Sequence, residues 1–196
     1  MFVSNDQPTS WQYGVCALDA DPQGFCLLGP LAEIWRSKRS SDQAIPDKST
    51  FDFYDSPDWS GRISIAQIER EPFDIRFTLW GTALTEWWGV DYTGKTLGSE
   101  SITPTEWDKV EKRYFQEMAD NPFIGLVTGK LEQHDRAHIR ILGLDLPVLT
   151  DGRVSHVLSG YVDLPEPEII TATLKNAPIE RFMELTAGPE TVDSRI

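Results

Sequence analysis

Cysteine is scarce in this chain. Cys16 and Cys26 are the only two, both ahead of the region where apolar residues become periodic, so neither a disulfide framework nor a four-ligand zinc spacing can be read. Reduced thiols are expected. Histidine is almost as rare. His134, His138 and His156 are spaced unlike a metal site and have no Cys or clustered carboxylates beside them, so no metal is expected. Basic residues are outnumbered, 18 Lys and Arg against 31 Asp and Glu, for a formal net charge of −13. A polyanion is bound through Lys and Arg that release its counterions, so nucleic acid is not an expected partner. The short basic clusters at Arg36, Lys38, Arg39 and at Arg136, Arg140 lie beside acidic residues and read as solvated faces. Long hydrophobic runs are missing too: Leu27-Leu28 and Val157-Leu158 are interrupted within a few residues, far short of the roughly 20 that span a bilayer. Met1 to Ser10 lacks the basic patch and apolar stretch of a secretory signal. The expectation is a cytoplasmic protein without membrane contact. No Gly-x-Ser-x-Gly elbow or phosphate-cradling glycine loop occurs, so those catalytic classes find no support.

What is present fits one domain with extensions. Residues 1–26 are polar and turn-rich and read as a mobile or loosely docked arm. From Leu28 the spacing turns helical: Leu28, Leu31, Ile34 and Trp35 make an amphipathic face that ends near Lys38 to Ser41. Arg62 to Arg70 and the alternating Phe73, Ile75, Phe77, Leu79 predict two strands joined by a tight turn at Glu71-Pro72, the first with a bulge or an end near Gln67. Short helices and loops follow between Thr82 and Gly98, with Leu84, Trp87 and Trp88 on one face and Gly89 and Gly94 as punctuation. Asp91 and Gly94 flank a compact turn. Thr103, Pro104 and Glu106 form a capping-box start for a helix lined by Trp107, Val110, Tyr114 and Met118, stopped at Asn121-Pro122. Three strands come next, at about 123–133, 137–148 and 154–164, reversed at His134-Asp135 and Asp151-Gly152. The middle one changes apolar phase, which predicts a bulge or bend near Gly143. The core region thus runs over 27–164, and 165–196 is a C-terminal extension with a short helix from Pro178 through Ile179, Phe182 and Met183. The fold class is α+β: a five-stranded antiparallel sheet with central helices on one face and the leading helix on the other.

Several segments carry a family resemblance: Trp35-Arg36, Ile45-Pro46 leading to Phe51-Asp52, Phe77 to Thr82, Gly89-Val90-Asp91-Tyr92-Thr93-Gly94-Lys95, and Leu144 to Leu149 ahead of Asp151-Gly152. In their order and spacing they resemble the short stand-alone PAS proteins of bacteria, of the alphaproteobacterial kind. The resemblance implies a PAS fold with a cavity between sheet and helices, flanking helices that mediate dimerisation, no catalytic residues, and output through a regulatory protein partner because no output domain shares the chain. A haem-binding PAS domain would commonly place an axial His on the long helix, and Thr103 to Asp120 has none. A flavin photoreceptor of this class would carry a Cys after the second strand, where this chain has Trp87, Trp88, Asp91 and Tyr92. No cofactor is therefore expected.

Trp88 and Tyr114 belong to apolar faces of the central helices, and His156 shares a strand phase with Val154, Leu158 and Val162. These three are the candidate ligand-binding residues, although core packing accounts for the aromatics, and a core histidine with a backbone partner accounts for His156. Gly125 and Gly129 leave space beside the sheet for either a ligand or a close helix. The functional expectation is a sensory module that binds an unknown small molecule or a partner and signals through flanking helices, as a homodimer. The alternatives are a ligand-free interaction module, or a small cone-pocket isomerase, against which the interior strand phases show no clear carboxylate pair.

Overall fold

A computed structural model describes residues 10–52, 57–100, 106–164 and 166–183, and for 106–108 the backbone only. In chain order the elements are β1 (Gln12–Cys16), α1 (Gly29–Ser37), β2 (Ile63–Arg70), β3 (Phe73–Trp80), α2 (Thr82–Trp88), α3 (Glu106–Asp120), β4 (Ile124–Leu131), β5 (Arg136–Thr150), β6 (Arg153–Asp163), α4 (Pro167–Asn176) and β7 (Ile179–Phe182), with short 3-10 turns between them. The fold is α+β, and all its strand pairs are antiparallel.

Among the described residues the sheet has seven strands, not five, in the order β3-β2-β6-β5-β4-β1-β7. The five expected from the periodicity form a contiguous block. The two additions come from the ends. Residues 12–16, expected as part of a loose arm, pair with β4 from Gln12↔Thr128 to Cys16↔Ile124 and bury Tyr13, Val15 and Cys16. The C-terminal helix lies upstream of its expected place, over Pro167–Asn176, and the residues beyond Pro178 instead form β7 on the outer edge of β1. Segments of four or five residues hold too few repeats for a period to show, so their pairing with an open edge decides their structure.

Inside the sheet the expected bulge in β2 is present, as a register shift against β3 between Ile65 and Ala66. Of the bulge or bend expected near Gly143, no bulge is found there: pairing with β4 is regular from Lys130↔Arg140 to Gly125↔Asp145, and the shift against β6 falls at Val148/Leu149. The change of apolar phase has another cause. Both faces of the sheet are covered, so β5 is buried continuously from Ile141 to Val148 and both phases are apolar. The β5–β6 reversal places Asp151 (φ 51) and Gly152 (φ 73) in left-handed geometry, as a tight hairpin twisted with its strands requires.

α1 covers one face. Leu28, Leu31 and Trp35 are fully buried; Leu31 lies against Gly160, and the Trp35 indole N–H donates to the Pro147 carbonyl at 2.8 Å. α2 and α3 cover the other. α2 ends at Gly89, φ 77. α3 buries Val110, Tyr114 and Met118 as expected, while its capping residues Thr103 and Pro104 and the Trp107 side chain lie outside the described residues. Among the described residues, no helix is long and apolar enough to cross a membrane.

Candidate ligand cavity

Two rows of side chains cross the sheet beneath α2 and α3, and strand register sets their composition. One row runs Gly125, Asp145, Ser159, Ser64, Trp80 across β4, β5, β6, β2 and β3. The next runs Tyr13, Val127, Gly143, Tyr161 across β1, β4, β5 and β6. Glycine in each row lets a ring lie on the backbone. A Cβ at Gly125 would overlap the Tyr114 hydroxyl arriving from α3, and one at Gly143 would stand 2.6 Å from the Tyr161 ring. Gly129 is likewise covered by the Trp11 ring. The space that Gly125 and Gly129 leave is thus filled by aromatic side chains of the protein itself.

Above these rows is a cavity of about 60 Å³, walled by Tyr13, Trp80, Trp88, Tyr92, Tyr114 and Tyr161. The rings pack on one another: Trp80 lies edge-on to Phe77 (centroids 4.9 Å apart) and to Trp88 (5.3 Å), Trp88 on Tyr161 (5.3 Å), and Tyr13 on Tyr114 (4.8 Å). Asp145 lies in this wall, 2% exposed, and accepts a hydrogen bond from the Tyr114 hydroxyl at 2.9 Å. Burial pushes its carboxyl up to about 6, against the opposing pull of the Ser159 and Tyr114 hydroxyls. The same burial, with Asp145 beside them, holds the Tyr13, Tyr114 and Tyr161 phenols neutral well above their ordinary range. His134 also lines the cavity, its ring edge-on to Tyr92; burial, then Arg136, lowers it to about 4, so it is neutral near pH 7.

Four buried polar atoms in this wall have no hydrogen-bond partner among the described residues: Tyr13 Oη, Trp80 Nε1, Gln133 Oε1 and Asp145 Oδ1. An unmet buried polar atom costs about 1–3 kcal/mol, and a native fold carries few of them. All four line one cavity.

No protein-family model matches the chain, and no curated protein matches it. A solved structure of an RNA-binding light-oxygen-voltage receptor aligns with 59% of this chain and 32% of its own, at 20% identity and a TM-score of 0.42. That is a partial likeness in chain path, over about a third of the receptor.

Of the three residues singled out from sequence, Trp88 and Tyr114 meet in this cavity. His156 does not. It lies on the opposite face of the sheet, in a second cavity of about 190 Å³ between the sheet and α1, with Ile34, Lys48, Ile65, Val148 and Leu158. Its partners are side chains and not the expected backbone group: Lys48 Nζ is 3.0 Å from Nε2, and Ser155 Oγ is 2.8 Å from Nδ1. Burial, then the Lys48 charge, lowers its pKa, which keeps the ring neutral and able to accept from the ammonium at Nε2. Phase misassigned it because both phases of β6 are buried.

Sequence reasoning missed Asp145, Tyr13, Trp80 and Gln133. Asp145 had a legible signal, a single charge inside the apolar run Leu142 to Leu149. Tyr13 had none, since it reaches the wall through β1. Glu111, on α3 and so outside the strand phases, also lines the cavity, which brings a second carboxylate to it.

Proposed function

We propose that this chain is a PAS-type sensory module that admits a small molecule to the cavity under α2 and α3 and relays its occupancy through the elements packed on the sheet. The convergence of four unpartnered polar atoms on a ring-walled space carries the reading. It matches how small-molecule sites are built, with apolar walls and a few placed polar groups. The proposal is one of binding without turnover. Relay to a regulatory partner or a second copy is supported by Leu27, Ile169 and Phe182, large apolar side chains left exposed outside the core, Phe182 being on the edge strand β7. The net charge of −13 supports a partner other than nucleic acid.

Native mass spectrometry of gently purified protein tests the reading. The expected result is an added small-molecule mass that disappears in Val127→Phe, which fills the cavity from β4. A bare mass, with no melting shift in a screen of small polar metabolites, would favour a ligand-free interaction module instead.

A further inference from the structure

Resting on that reading, we infer that the cavity's ligand is a small organic ammonium ion, held by Asp145 and enclosed by the surrounding aromatic rings. Three observations converge on a cation. The charged groups in the wall are acidic: Asp145 from β5 and Glu111 from α3 line it, and among the described residues no Lys or Arg does. The walls are π-systems, Tyr13, Trp80, Trp88, Tyr92, Tyr114 and Tyr161, whose electron-rich faces attract desolvated cations and form the aromatic cages that recognise alkylated ammonium groups. The orphaned atoms include the acceptors Asp145 Oδ1 and Gln133 Oε1, and Tyr13 Oη can accept as well, as an N–H-bearing cation requires.

The size agrees. About 60 Å³ holds on the order of four or five water-sized groups, which admits a ligand of roughly that many heavy atoms. An anion would meet two carboxylates and no cationic side chain in the wall. The remaining orphan, the Trp80 indole N–H, is a donor, so an oxygen on the ligand or a water beside it completes the set. An amino alcohol supplies both ends in one molecule.

The cation also resolves the energetics of Asp145. A buried carboxylate among phenols is costly to ionise, and an adjacent positive charge favours its charged form. Binding and deprotonation of Asp145 are therefore linked. The groups facing it are Tyr114 and Glu111 from α3, Tyr13 from β1, and Ser159 and Tyr161 from β6, with His134 also on the cavity wall. The phenols stay neutral throughout the accessible pH range, and His134 titrates at about 4, below the range that matters.

Isothermal titration of the full chain with ethanolamine, methylammonium and trimethylammonium, against the neutral analogues ethylene glycol and tert-butanol and against acetate, tests the inference. The expected result is binding of the ammonium ions at least ten-fold tighter than their neutral analogues, with ethanolamine the tightest. In the wild-type protein the affinity should fall about ten-fold from pH 7 to pH 5 as Asp145 takes a proton. Asp145→Asn should abolish the ammonium preference; if that variant fails to fold, Trp88→Leu, which opens the ring wall, and the wild-type pH profile carry the same test. Binding of ethylene glycol, tert-butanol or acetate in preference to the ammonium ions, lost in Val127→Phe, would overturn the cation while leaving the cavity reading intact. No binding by any of the probes at millimolar concentration would overturn it too, and the native mass then decides whether the cavity reading falls with it.

Discussion

Asp145 and His134 line one cavity and respond to pH with opposite signs. The folded state raises Asp145 from 3.8 to about 6, so between these values it binds more protons than the unfolded chain, and the group's contribution to stability falls as pH rises through that window. His134 is lowered from 6.5 to about 4; here the unfolded chain binds more protons, and stability is gained as pH rises from about 4 to 6.5. Each slope is at most about 1.4 kcal/mol per pH unit, so the two nearly cancel between pH 4 and 6. Single substitutions should unmask them. Asp145→Asn should become more stable as pH rises across that window, with His156, also lowered by burial, adding to the same slope. His134→Phe keeps the Asp145 slope, opposed by that of His156, and so should gain less stability than Asp145→Asn as pH rises. Chemical denaturation at half-unit pH intervals measures both, and parallel profiles for the two variants would contradict these assignments.

Whether the leading helix belongs to the molecule's own core or to an interface is decided by what its apolar stripe touches. Leu28, just ahead of α1, and Leu31 and Trp35 within it pack on the sheet face opposite the cavity, with Arg39 stacked over the Trp35 ring at 4.3 Å. Of the two expected partners for this stripe, the open sheet face or another copy, it is the sheet that covers it, so the expected homodimer would use another surface. Trp35→Glu would leave a large hole, lose the bond to the Pro147 carbonyl and bury a charge, at a cost of about 3–5 kcal/mol. A lower melting temperature with an unchanged assembly mass by light scattering is the expected pair of results. A change in mass with the melt unaltered would place α1 at an interface after all. The element boundaries were largely legible in sequence, because turns at Glu71-Pro72 and Asp151-Gly152 and periods of several repeats are local signals. The displaced C-terminal helix was not: Ile179, Phe182 and Met183 have helical spacing, but Ile179 and Phe182 pair with the edge of β1.

For the molecule as a whole, the cavities on the two faces of the sheet limit what can be held there. Neither the 60 Å³ ring-walled cavity nor the 190 Å³ space beside α1 reaches the roughly 300–1,000 Å³ typical of sites for drug-sized ligands. The described cysteines stand in β1, where Cys16 is buried and raised to about 12, and in the turn before α1, where Cys26 is exposed; neither lines the ring-walled cavity. Protein purified in the dark should show no Soret or flavin band after gel filtration, and a persistent visible chromophore would mean that the core opens far beyond this arrangement. The sequence by itself determined the α+β class, the five long strands, the central helices and the tight reversals, because each rests on spacing within a dozen residues. Tertiary structure decided the rest: that residues 12–16 and 179–182 close onto the β4 side of the sheet, that His156 and the Trp88–Tyr114 pair lie on opposite faces, and that Asp145 meets Tyr13 and Trp80. Register and face belong to pairs of strands far apart in the chain, and in a sheet buried on both sides no single strand's pattern says which layer a side chain enters.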